Sequence, residues 1–464
     1  MQKIIPGILP WCRVRYPAAM NLTLVAASFR PEMRRVTLVL AWLAATLTAA
    51  GAEASGSGLP TEIRLPGLRL KIGRPVQVAA QLAWEEGPNH RWVMNHPVPS
   101  AARFPTGELM VTYALDSDYN DNPRNVSGVQ FSTDGGQTWG KRYNFLGEHQ
   151  ALIYTPEPDG ALQGIPAYLF RARPGDHRNF EAGYTRLEGG GRRVVIEPRG
   201  VRVLDWPWPA AEGYGNGFYG LEPVPGMSPV RDNVALVFDG NALEEDGRLL
   251  ATGYGMRDGE KQLQNFILAS EDHGRTWRHF AKVADASGLP AGAEGPNEIA
   301  MIRLADGDLM TVFRVGSGSG WKLRRSYSHD HGRTWSAPDV LPAWSVEPSL
   351  VRAANGTILL STGRPGIHLW CSTDGRGQTW QHVDIAALHN AWAPDASHRI
   401  GPYQDPEVPS IAPGELWQTS SYTELVEVSP NQFILVYDRS PKPKPANSTD
   451  LTRIFALPIE VVRE

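Results

Sequence analysis

This sequence predicts an all-β fold, a six-bladed β-propeller of four-stranded antiparallel blades, and three observations carry the prediction. The first is a repeated box: residues 132–139 read STDGGQTW, 270–277 SEDHGRTW, 328–335 SHDHGRTW and, with one inserted residue, 372–380 STDGRGQTW. The second is a strand–turn–strand unit ahead of the boxes: FPTGELMVTY (104–113), EEDGRLLATGY (244–254), LADGDLMTVFR (304–314) and AANGTILLSTGR (353–364). SPNQFILVYD (429–438) is a further copy without the glycine. The third is composition: 47 Gly, 38 Pro and 15 Trp in 464 residues suit many short strands and tight turns.

Each box follows an apolar run of strand character (VSGVQF, NFILA, KLRRSY, GIHLWC). Its chemistry is that of a turn: the Asp accepts backbone N–H groups, Gly supplies a positive φ, and Trp packs beneath. Asp134, Asp272, Asp330 and Asp374 are therefore read as scaffold. The last three boxes start 58 and 44 residues apart, and the 138 residues between the first two leave room for a blade without a box. Counting on this basis gives six blades.

Residues 33–54 hold a basic start, an apolar run and small residues towards Ala54, the pattern of a secretory signal from about Met33. The division expected is 1–54 as upstream extension plus signal and 55–464 as one propeller domain, secreted or periplasmic. No other segment is apolar enough to span a bilayer. Residues 1–54 take six of 45 basic and two of 49 acidic residues, leaving a net charge of −8. That balance argues against nucleic acid as a partner. Cys371 is then the single cysteine, so neither a disulfide framework nor a cysteine metal site is expected.

The boxes within a six-bladed arrangement resemble the sialidase (neuraminidase) superfamily over most of residues 85–460. The resemblance implies a retaining exo-glycosidase that removes a terminal sialic acid or related acidic sugar from glycans, with no metal or organic cofactor. Tyr422, in SSYTELVEV (420–428), matches the nucleophile, and Glu298, in GPNEIAMIRL, the carboxylate that activates it. A phenol is a sensible nucleophile there, because the anomeric carboxylate of a sialoside repels an anionic Asp or Glu. Glu424 is a rival to Glu298, on the same strand face as Tyr422 and suited to a structural bond. Asp121, in the loop ALDSDYNDNPRN beside Asp116 and Asp118, matches the acid/base. Arg314 and Arg364 match two arginines of a carboxylate-binding triad; guanidinium forks suit that task.

The sequence departs from the family where the first arginine of the triad should stand: in HPVPSAARFPTGEL that position is Pro97. His96, beside it, is the candidate substitute in the substrate site, with Arg91 and Arg103 as others. The aromatic stretch 205–223 and the long segment 389–418 are expected to shape the pocket. His273, His329 and His331 lie in turn boxes and are expected at the surface. Two other outcomes remain open: a hydrolase or lyase for another acidic sugar, and a non-catalytic glycan-binding propeller.

Overall fold

A computed structural model describes residues 61–80, 97–114, 126–146, most of 151–169, 185–187, 211–212 and, with short interruptions, 236–403 and 416–464. The expected leader in residues 1–54 lies outside them. The described chain is almost wholly antiparallel sheet. Four sheets take their four main strands in chain order. The first is Ser100–Arg103, Leu109–Ala114, Val126–Ser132 and Tyr143–Leu146; another is Leu236–Glu245, Arg248–Gly255, Gln264–Ser270 and Trp277–Ala284. Two more are Ile299–Arg303, Leu309–Phe313, Arg324–Ser328 and Asp339–Val340, and Ser349–Arg352, Ile358–Gly363, Ile367–Ser372 and Gln381–Asp384.

The last sheet joins both ends of the described chain. Thr423–Ser429, Gln432–Arg439 and Arg453–Arg463 are continued by Leu68–Ile72 and Thr61–Leu65, and Val76–Ala80 also pairs with Arg453–Arg463. The first strands of neighbouring sheets pack against one another, which is the arrangement of a propeller around an axis.

The count of six four-stranded blades is corrected. Among the described residues five sheets have four strands or more, while Ala151–Pro156, Leu162–Pro166 and Thr185–Leu187 form a sheet of three. The reason lies in the 138-residue interval, which lacks a box to close a fourth strand and whose other residues fall largely outside those described.

The boxes act as the turns their sequence implies. Ser132 Oγ donates to Asp134 Oδ1 at 2.8 Å, and Asp134 takes the Thr138 amide at 2.9 Å. The Asp330 and Asp374 boxes repeat this. In DHG the left-handed backbone is shared by two residues, His331 at φ 61° and Gly332 at 83°. In the copy without glycine, Asn431 takes φ 63°, a conformation its short amide tolerates. Between the sheets lies an apolar interior; Leu435, Tyr437, Leu457, Leu359 and Leu369 share one fully buried cluster. Segment 389–418 is not a simple loop, since its start belongs to the helix Ile385–Trp392, capped by the Asp384 carboxylate on the Ala387 amide.

Candidate active site

Glu298 immediately precedes the strand Ile299–Arg303, and Arg314 immediately follows Leu309–Phe313. Ile299 pairs with Phe313, so the next rung sets Glu298 opposite Arg314; the Arg314 amide donates to the Glu298 carbonyl at 3.1 Å. Side chains opposite one another in an antiparallel pair share a face. The result is an ion pair, Arg314 Nη1 to Glu298 Oε2 at 2.7 Å, with both side chains about nine-tenths buried. Arg314 also reaches Glu294 Oε2 at 3.2 Å and the Gly316 carbonyl at 3.1 Å.

Tyr422 arrives from the last sheet, one residue before Thr423–Ser429, and its hydroxyl donates to Glu298 Oε1 at 2.8 Å. Its approach is tightly held. Ser421 has φ 75°, and the preceding Ser420 amide and hydroxyl and the Thr419 hydroxyl all donate to the fully buried Asp438 carboxylate. Gly363 leaves the room: a Cβ there would stand 2.0 Å from the Ser421 carbonyl oxygen.

A third sheet contributes Glu347, two residues before Ser349–Arg352. Its amide donates to Glu298 Oε2 at 2.9 Å. Burial pushes the Glu298 carboxyl upward. Together the Arg314 charge and hydrogen bonds from Arg314, the Glu347 amide and Tyr422 outweigh this, and the carboxyl lies below its ordinary range. Arg314, in turn, is held protonated: burial opposes its charge but Glu298 and Glu294 overcome that.

Around this group the other carboxyls move the opposite way. Asp239 is raised by burial and by the charge of Glu298, and Glu347 by burial and by Asp239, Glu298 and Glu424. Burial lifts Glu424 to about 7, although Ser349 Oγ donates to it at 2.7 Å. Glu424 is thus not the partner of Tyr422; it makes the structural bond expected of it. It also lines a cavity of about 600 Å³ with Tyr154, Asn241 and Val351, a lining that does not include Tyr422, Glu298 or Arg314.

Tyr422, Glu298 and Arg314 therefore converge from two sheets. Asp121, Arg364 and His96 lie outside the described residues, as do Asp116, Asp118, Arg91 and nearly all of 205–223. Pro97 is buried, and its carbonyl accepts the Ala114 amide at 2.7 Å, so it offers no charge. Arg103 is exposed at the far end of Ser100–Arg103 from Pro97. Glu347 and Asp239 were not singled out from sequence. The signal for Glu347 was there, since it enters an inner strand as Glu298 and Tyr422 do.

Residues 229–428 match the family model described as a BNR repeat-like domain. A sialidase from Micromonospora viridifaciens is 27% identical over 344 residues, which are 70% of this chain; the chain spans about half (47%) of that curated relative. Among solved structures, a protein of unknown function from Dyadobacter fermentans aligns with a TM-score of 0.52 at 17% identity, over 86% of this chain and all of that one. A Hadza microbial sialidase aligns with a TM-score of 0.49 at 14% identity, over 84% of this chain and 68% of its own. Over residues 229–428 the chain is thus similar to BNR repeat-like proteins, and over 70% of its length to a sialidase.

Proposed function

We propose that the protein is a retaining glycoside hydrolase in which Tyr422 is the nucleophile and Glu298 its base. The observation that carries the reading is the 2.8 Å hydrogen bond from the Tyr422 hydroxyl to Glu298, assembled across 124 residues of chain. A phenol aimed at a buried, ionised carboxylate is poised to lose its proton as its oxygen attacks. In the first step Tyr422 Oη bonds to the anomeric carbon, its proton passes to Glu298, and Asp121 protonates the departing oxygen. In the second, water attacks the same carbon and gives a proton to Asp121, and Tyr422 regains its own from Glu298. Arg314 holds Glu298 ionised in the resting site.

The substrate is a terminal sialic acid or a related acidic sugar on a glycan, with Arg364, Arg314 and His96 as carboxylate contacts. A nucleophile without charge suits a donor that carries a carboxylate on its anomeric carbon. The signal-like sequence pattern of residues 33–54 supports an exported enzyme. The test is release of sialic acid from sialyllactose by the chain from Ser55, with Tyr422→Phe as control. Turnover lost in the control supports the assignment; equal turnover in both rejects Tyr422 as nucleophile.

One observation favours a second reading, a glycoside without the anomeric carboxylate. Pro97 supplies no cation, and Arg314 already engages Glu298 and Glu294. Aryl glycosides of neutral sugars, assayed beside an aryl sialoside, decide between the two.

A further inference from the structure

Asp239 is 1% exposed and sits in Leu236–Glu245, where the pairing with Arg248–Gly255 shifts register between Phe238 and Ala242. The Gly240 amide donates to its Oδ1 at 2.8 Å, and the Ile299 amide also turns towards the carboxyl. Its Oδ2 is buried and has no N–H or O–H donor in hydrogen-bond geometry. What faces it is another carboxyl, that of Glu347, itself 8% exposed. Two facing buried carboxylates repel one another; a proton on one of the pair supplies the donor that Oδ2 lacks.

Glu347 has a second peculiarity. Its φ is 34°, left-handed for a residue with a long side chain and followed by Pro348, which favours extended backbone before it. Such backbone persists where its surroundings over-determine it. In this conformation the Glu347 amide points at Glu298 Oε2 and donates to it at 2.9 Å.

We infer that Asp239 and Glu347 are positioning residues for the Tyr422–Glu298 pair: a proton shared between their carboxyls latches the left-handed Glu347 turn, whose amide fixes the base. The inference rests on the roles proposed above for Tyr422 and Glu298. The charged groups that face the latch are Glu298 from its own strand entry and Glu424 from the last sheet, both acidic, while Arg314 and Glu294 lie beyond Glu298. Loss of the proton sets two buried negative charges face to face with Glu298 and Glu424 close by. The turn then opens and Glu298 loses its amide.

The experiment is the pH dependence of kcat from roughly pH 5 to 10 for the wild type, Asp239→Asn and Asp239→Ala, on whichever aryl glycoside is turned over. An Asn amide can donate to Glu347 without titrating. The expected result is an alkaline loss of kcat in the wild type that moves up by at least about one pH unit in Asp239→Asn, while Asp239→Ala is slow throughout. A purely structural role would lower activity without moving that limb, so coincident limbs overturn the inference. The infrared difference between wild type and Asp239→Asn at neutral pH supplies a readout independent of turnover. A protonated-carboxyl band in the wild type supports the latch, and its absence overturns it. Undiminished turnover by Tyr422→Phe would instead reject the nucleophile assignment, and the infrared result would still decide on the shared proton.

Discussion

Replacing Glu424 by Gln keeps an oxygen that can accept the Ser349 hydroxyl at 2.7 Å and removes an ionisable group from a half-buried position. In the folded protein this carboxyl titrates at about 7 against an ordinary 4.5. At 1.36 kcal/mol per unit, a shift of that size corresponds to about 3 kcal/mol. The folded state binds the proton more tightly than the unfolded chain does. The stability it confers is therefore complete below 4.5 and is lost as pH rises through 7. Urea unfolding of wild type and Glu424→Gln at roughly pH 4.5 and pH 8.5 measures this, because the titrating groups that do not interact with Glu424 cancel in the difference. The expected outcome is a gap that moves by about 3 kcal/mol in favour of the variant between the two pH values. Parallel curves would show that Glu424 ionises as freely in the fold as outside it, and the account of its burial would fail.

Gly363→Ala drives a Cβ to 2.0 Å from the Ser421 carbonyl oxygen, so unfolding free energy should fall by more than about 2 kcal/mol and Tyr422 should be displaced. Calorimetry and turnover of the same sample check both. Asp330→Ala removes the acceptor of the Ser328 hydroxyl and the Thr334 amide; denaturant titration should show lower stability while kcat of the folded fraction is unchanged. Burial raises the Cys371 thiol to about 12, so a thiol reagent added to the chain from Ser55 should react only after denaturant is added.

Much of the scaffold was legible because its signals are local. A box carries its own acceptor, glycine and tryptophan within eight residues, and Asp134 and Asp330 bond as that spacing requires. Tyr422 and Glu298 were legible through resemblance, and the structure adds what no local pattern states: that a rung of pairing sets Glu298 against Arg314. The acidic residues behind them were not legible. Asp239 sits in VFDGNAL and Glu347 in SVEPSL, stretches that read as a turn and a strand entry. Their meaning comes from a register shift in one sheet and a positive φ in another, both products of tertiary packing. The blade count erred for a similar reason, since spacing alone measured the interval without a box.

The sheet that unites residues 61–80 with 423–463 also sets an order of events. Tyr422 follows Glu298 in the chain, and the strand after it pairs with Gln432–Arg439, which pairs with Arg453–Arg463 and through it with Leu68–Ile72 and Val76–Ala80. Glu298 is made 124 residues earlier and waits without its phenol. Pairings between such distant segments form slowly, because chain entropy must be lost before any stabilising pairing forms. The Tyr422–Glu298 pair is thus completed by the same step that joins the two ends of the described chain in one sheet, and a chain stopped short of residue 422 would carry most of the scaffold without that phenol.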